Sequence, residues 1–122
     1  MPKKRTILIV EDHEDTRELY ACCLSLEGFA VRSASGGVEG IADLRAQRPQ
    51  LVVLDFALPR LSGAGVLRQM RMDSDLDLTP VILVSAQMQE FTKPCELSDL
   101  VRAVHTALRA PGGPMSPARL RP

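Results

Sequence analysis

Three short, almost entirely apolar runs recur along the chain, at Thr6–Val10, Leu51–Leu54 and Val81–Val84. A strand that is apolar on both faces is typical of a parallel sheet with helices on each side. Phe29–Ser33 has a more alternating pattern, which predicts a short second strand. The pattern therefore predicts strands that are mostly buried.

Between these runs, apolar residues recur at helical spacing. The pattern predicts helices from about Glu14 to Glu27, up to about Gln47, around Val66 and from Glu96 to Arg109. The predicted inner face of the first helix consists of Leu19, Cys23 and Leu26, with Tyr20 and Leu24 beside them. Alternating strands and helices imply right-handed crossovers and a parallel sheet.

At 122 residues the chain is expected to form one domain, from residue 1 to about 110. The Pro-, Gly- and Arg-containing residues 111–122 predict a flexible tail. The formal net charge of zero argues against nucleic acid as a direct partner. The sequence has no apolar stretch of membrane-spanning length, so no membrane partner is expected. Cys22, Cys23 and Cys95 fit neither a disulfide framework nor a zinc site, which favours a cytoplasmic location.

Groups able to do chemistry follow the predicted strands: Glu11-Asp12, Asp55, Ser85 and, before the last helix, Lys93. The carboxyl ends of parallel strands share one edge of a sheet, where ligands bind. Converging carboxylates repel one another unless a cation binds, and Mg²⁺ prefers such oxygen ligands. A lysine and a hydroxyl supply the charge and the donor that a phosphoryl group needs. The set points to aspartyl-phosphate chemistry on a carboxylate nucleophile.

The chain resembles the response-regulator receiver domains of two-component signalling, from about Arg5 to about Ala110. The matching residues are Glu11-Asp12, Asp55 with Pro59 and Gly63 behind it, Ser85-Ala86 and Lys93-Pro94. The resemblance implies a three-layer, doubly wound α/β fold with a five-stranded parallel sheet, like flavodoxin and CheY. It also implies a phosphorelay signalling domain rather than an enzyme.

By this resemblance, Asp55 is the phosphoacceptor, which takes its phosphoryl group from a sensor histidine kinase or a phosphotransfer protein. Ser85 would bind a phosphoryl oxygen, and Lys93 would pair first with Asp55 and then with the phosphoryl group. The implied Mg²⁺ ligands are Glu11, Asp12, Asp55 and the main-chain carbonyl of Ala57. The downstream partner would be a protein.

The chain departs from the family between Ser85 and Lys93, because residues 86–92 are too few for a helix and a strand. The fourth helix is therefore expected to be absent or reduced to a turn, with Gln89–Lys93 as the last strand. Its loss would uncover part of the sheet. Dimerisation, exchange of an element between chains or covering by the tail would each remedy this, and we expect a homodimer.

Two alternatives to a phosphorylatable receiver remain open. A pseudo-receiver would keep the site residues but act by constitutive binding or dimerisation, which the short segment favours. An aspartate-nucleophile phosphatase would also use Asp55, but Ala57 stands where that class places a second aspartate. The intact acidic residues favour the phosphorylatable receiver.

Overall fold

The structure is a computed structural model that describes residues 4–84, 94–109 and 118–119. Strands and helices alternate along the chain. Their bounds are β1 Thr6–Val10, α1 Glu14–Leu26, β2 Ala30–Ala34, α2 Gly37–Gln47, β3 Leu51–Asp55, α3 Gly63–Arg71, β4 Val81–Val84, α4 Pro94–Arg109 and β5 Ala118–Arg119. The predicted α/β architecture is confirmed. None of the helices in the described ranges is long and apolar enough to cross a bilayer.

All strands of the sheet run parallel, in the order β2-β1-β3-β4-β5. The central strands β1 and β3 are in register with Val10 opposite Leu54, so their carboxyl ends lie side by side. Every residue of β3 and of β4 is buried, whereas the edge strand β2 is partly exposed. Burial on both faces explains why β1, β3 and β4 are continuous apolar runs while β2 is not.

Side chains of the strands point alternately into two apolar clusters. One cluster joins the sheet to α2 and α3, and its helical members include Ile41, Leu44, Val66 and Met70. The other joins the opposite face of the sheet to α1 and α4, through Leu24, Leu100, Val104 and Ala107. The domain therefore has three layers, with α1 and α4 on one side and α2 and α3 on the other.

The start of α3 packs closely against the end of β3. A Cβ atom added at Gly63 would lie 2.5 Å from the carbonyl oxygen of Asp55 and 2.7 Å from Cα of Phe56. The amide of Gly63 also donates to the carbonyl of Phe56, at 3.0 Å. A residue without a side chain is therefore needed here, and this close approach fixes the loop that follows Asp55.

The prediction for the inner face of α1 was wrong. Leu19 is 51% exposed and Leu26 is 82% exposed, whereas Leu24 is fully buried. Tyr20 packs beside Leu24 against the cluster formed with α4. Two apolar stripes lie next to each other on this helix, and the presence of α4 decides which of them is covered.

The predicted last strand at Gln89–Lys93, and the predicted loss of the fourth helix, lie outside the described residues. In the described residues, β4 pairs with β3 on one side and with β5 on the other, with Ile82 opposite Ala118 and Leu83 opposite Arg119. Of the predicted flexible tail, residues 111–122, the structure describes only Ala118 and Arg119, which form β5; the tail as a whole stays a prediction. Strand pairing uses backbone donors and acceptors, so it needs no apolar pattern. The domain boundary at residue 110 stays a prediction.

Candidate functional site

Three carboxylates meet at the carboxyl edge of the sheet. Glu11 and Asp12 follow β1, Asp55 ends β3, and one carboxylate oxygen from each lies within 4.8 Å of the others. Glu11 is 1% exposed and Asp55 is 2% exposed, whereas Asp12 is open to solvent. The structure thus brings together the three acidic residues that the sequence predicted.

The backbone and side chain of Glu11 are both held in place. Its amide donates to the carbonyl of Ala34 at 3.1 Å, which continues the pairing of β1 with β2. Its carboxylate Oε2 accepts from the amide of His13 at 3.0 Å. Its carbonyl accepts from Nη1 of Arg17, which reaches back from α1 at 2.9 Å. These contacts orient the Glu11 carboxylate before any ligand binds.

The Asp55 carboxylate has one oxygen engaged. Its Oδ1 accepts from the amide of Ala57 at 3.0 Å. The amide of Phe56, between these two residues, donates to the carbonyl of Val84 at 2.9 Å. Oδ2 is buried and has no hydrogen-bond partner among the described residues. A buried carboxylate oxygen in this state is costly unless a ligand or a proton satisfies it.

Burial and nearby negative charge raise the pKa values of Glu11 and Asp55. Burial raises the pKa of Glu11 to about 8, the negative charge of Asp55 adds to the effect, and the His13 amide acts in the opposite direction. Burial also raises the pKa of Asp55, against the hydrogen bond from Ala57, and the nearby charge of Asp12 adds to the rise. A cation that binds at the cluster therefore competes with protonation of Glu11 and Asp55.

The donor set fits a hard divalent cation. All three candidate ligands are carboxylate oxygens, as Mg²⁺ prefers, and one side of the site is open to water through Asp12. The buried Oδ2 of Asp55, which has no hydrogen-bond partner in the part of the chain that the structure describes, supplies an oxygen for coordination. The residues present therefore fit a magnesium ion that keeps part of its water shell.

The remaining predicted site residues are Ala57, Ser85 and Lys93, and of these the structure describes only Ala57. Ser85 and Lys93 lie outside the described residues. Ala57 follows Asp55 closely, and its amide contacts the Asp55 carboxylate. Coordination of a metal ion by the Ala57 carbonyl stays a prediction.

Sequence reasoning missed Arg17. It lies in the first turns of α1, where the helix dipole disfavours a positive charge. A basic residue at such a position indicates a tertiary partner, and this partner is the carbonyl between the two acidic residues Glu11 and Asp12. That signal was available in the sequence once the helix start was known.

Comparison with known proteins agrees with this geometry. The family model for the response regulator receiver domain matches residues 7–97. The chain is 32% identical to the transcriptional regulatory protein CseB of Streptomyces coelicolor, over 89% of this chain and 51% of CseB. It is 36% identical to the probable transcriptional regulator ycf27 of Porphyridium aerugineum, over 69% of this chain and 34% of that protein. The chain thus spans about a third to a half of the length of these relatives.

Solved structures share the fold. The receiver domain of the sensor histidine kinase PA1611 from Pseudomonas aeruginosa, which has a magnesium ion coordinated in its active-site cleft, aligns with a TM-score of 0.79 at 21% identity. The alignment covers 88% of this chain and 100% of that domain. CheY4 of Vibrio cholerae aligns with a TM-score of 0.76 at 21% identity, over 87% of this chain and 100% of CheY4. The family match, the CheY-like fold and the acidic cluster agree, and the chain belongs to the response regulator receiver domains of two-component signalling.

Proposed function

We propose that the chain accepts a phosphoryl group on Asp55, with Mg²⁺ bound, and transmits the signal by protein–protein interaction. The phosphoryl donor would be the phosphohistidine of a sensor histidine kinase or of a phosphotransfer protein. The observation that carries the proposal is the cluster of buried Glu11 and Asp55 with exposed Asp12, in which one oxygen of Asp55 has no hydrogen-bond partner among the described residues.

In the proposed reaction, a carboxylate oxygen of Asp55 forms a bond to phosphorus while the bond from phosphorus to the imidazole nitrogen breaks. The imidazole leaves with the electron pair of that bond, and an acyl phosphate remains on Asp55. The Ala57 amide holds the other carboxylate oxygen, so the nucleophile is oriented before transfer.

Glu11 and Asp12 would hold Mg²⁺ together with Asp55, and the bound ion would offset negative charge on the carboxylates and on the transferred group. A proton on Glu11 or Asp55 would have to leave for the metal ion to bind, and the open side at Asp12 gives it a route to water. In the same proposal, the Ala57 carbonyl adds a ligand, Ser85 donates to a phosphoryl oxygen and Lys93 pairs with the phosphoryl group.

The first test is the intact mass of the protein after incubation with acetyl phosphate, with and without Mg²⁺. We expect one phosphoryl adduct on the wild type, only when Mg²⁺ is present, and none on Asp55→Asn. Asp75→Asn is the matched control, because Asp75 lies in an exposed loop and pairs with Arg48. An adduct on Asp55→Asn, or none on the folded wild type with Mg²⁺, would contradict the proposal.

A pseudo-receiver is the second candidate, and the short connection between β4 and α4 favours it. Only residues 85–93 separate these elements. A folded protein that binds Mg²⁺ but is not phosphorylated by acetyl phosphate or by a kinase would support constitutive binding instead.

The partners that we propose are the phosphoryl donor, a downstream protein and a second copy of the chain. The relatives CseB and ycf27 are named as transcriptional regulators, but this chain spans only part of each of them. We propose no direct contact with nucleic acid for residues 1–122, because their formal net charge is zero. We propose a cytoplasmic location, because Cys22 is an exposed free thiol.

A further inference from the structure

The outer edge of β4 is where the described sheet departs from a regular doubly wound fold. β5 consists of two residues, Ala118 and Arg119, which run parallel to β4 opposite Ile82 and Leu83. β4 itself is buried along its whole length. A buried, apolar strand that ends a sheet exposes backbone donors and acceptors which another strand can pair with.

The connection from β4 to β5 has the opposite hand to the other crossovers. From β3 to β4 the chain moves towards one edge of the sheet by way of α3, which lies on one face. From β1 to β2 it moves towards the other edge by way of α1, on the opposite face, so these two crossovers have the same hand. From β4 to β5 the chain moves in the direction of β3 to β4, but α4 lies on the face of α1.

Reversing the face while keeping the direction reverses the hand of a crossover. Parallel crossovers are right-handed in about 98% of cases, because of the twist of the strands. The crossovers through α1, α2 and α3 share one hand, which by this rule is the right hand, so a connection from β4 through α4 to β5 within one chain is left-handed. The pairing of β5 with β4 is favourable, but the left-handed crossover that it requires within a single chain is not.

We propose that this pairing is made between two copies of the chain, with residues 118–119 of one copy on β4 of the other. The contacts of β5 stay the same, while the constraint on handedness disappears, because β4 and β5 then belong to different chains. Reciprocal exchange of identical segments is a low-cost route to a symmetric dimer. The proposal does not depend on phosphorylation of Asp55.

A disulfide can distinguish exchange from pairing within one chain. Cα atoms opposite each other on paired strands lie within reach of a disulfide. In a background in which Cys22, Cys23 and Cys95 are replaced by serine, Leu83→Cys is placed in one preparation and Arg119→Cys in another of different mass. The two are mixed, unfolded, refolded together and oxidised, and the products are identified by intact mass.

Exchange predicts a heterodisulfide that joins the two kinds of chain in clear excess over either homodisulfide. Random collision would give all three products in comparable amounts, and that result overturns the proposal. The variant carrying both substitutions should give covalent dimers. Covalently closed monomers, or no disulfide at all, would also overturn it.

A second measurement needs no substitution in the core. Analytical ultracentrifugation at tens of micromolar should give a dimer for the full chain and a monomer for a chain that ends at Arg109. A monomeric full chain overturns the proposal, and so does a dimer that survives removal of residues 110–122. Circular dichroism checks that the shortened chain is folded.

Discussion

Replacing Glu11 with glutamine should change how the stability of the protein depends on pH. Glutamine keeps the size of the side chain and an oxygen that can accept from the His13 amide, but it cannot ionise. Glu11 has a pKa of about 8 in the folded protein, against an ordinary value of 4.5. The folded state therefore binds the proton more tightly than the unfolded chain does between these values. The stabilisation linked to the protonated Glu11 is fully present below about pH 4.5 and is lost as the pH rises towards about 8.

The size of the effect follows from the same values. Each pKa unit corresponds to about 1.4 kcal/mol, so the rise from 4.5 to about 8 gives an upper limit on the order of 5 kcal/mol. Because Asp55 belongs to the same cluster, the measured slope is a property of the pair. As the pH rises through this range, we expect the free energy of unfolding of the wild type to fall by on the order of 1 kcal/mol per pH unit relative to that of Glu11→Gln.

The assay is urea unfolding followed by circular dichroism, in EDTA, from about pH 5 to about pH 8. The two proteins should be similar near the acidic end, and the variant should be the more stable one at the basic end. Adding Mg²⁺ at the basic end should stabilise the wild type more than the variant, because a carboxylate ligand is lost in the variant. Glu18→Gln is the control, since Glu18 is exposed on α1. Parallel curves for wild type and Glu11→Gln would refute the reasoning.

Three further substitutions test the packing around the site. Gly63→Ala should lower the free energy of unfolding in urea by about 2–4 kcal/mol, because the new Cβ would lie 2.5 Å from a backbone oxygen. Gly65→Ala should lower it far less, because the Cβ there would meet the end of a leucine side chain. Equal losses for the two variants would refute the close approach at Gly63. Leu24→Ala should lower the free energy of unfolding by about 2–4 kcal/mol and Leu26→Ala by less than about 0.5 kcal/mol, since only Leu24 is buried. The reverse order would support the inner face of α1 that the sequence predicted. Arg17→Met should weaken Mg²⁺ binding several-fold in calorimetry, because the hydrogen bond to the Glu11 carbonyl is lost. Arg17→Lys should weaken binding less, because lysine keeps a donor. Unchanged binding in both variants would show that the hydrogen bond from Arg17 to Glu11 does not orient the site.

The central strands and the acidic cluster could be predicted because each follows from a local pattern and one general rule. β1, β3 and β4 are apolar throughout because both faces of the sheet are covered. Glu11 and Asp55 come together because parallel neighbouring strands end at the same edge. Neither inference needs to know which helix packs where.

The remaining features depend on tertiary contacts that the pattern does not contain. On α1, Leu19 and Leu24 belong to adjacent stripes, and only the position of α4 decides that Leu24 is covered. β5 has two residues, Ala118 and Arg119, which is too short for any periodicity to show. The contact of Arg17 with the Glu11 carbonyl depends on the angle between α1 and β1.

The anchors of the acidic cluster would allow a receiver with a short segment before α4 to carry out the proposed chemistry. Glu11 is held by Ala34 and Arg17, and Asp55 is held by Ala57 and by the close approach of Gly63. These contacts come from β1, β3 and the segments next to them. Shortening residues 85–93 removes none of these contacts, although it alters the stretch that carries Ser85 and Lys93. We therefore expect metal binding and signal output to be separable in this chain. A protein that binds Mg²⁺ through Glu11 and still fails to respond to phosphorylation would locate the loss in residues 85–93 and not in the cluster.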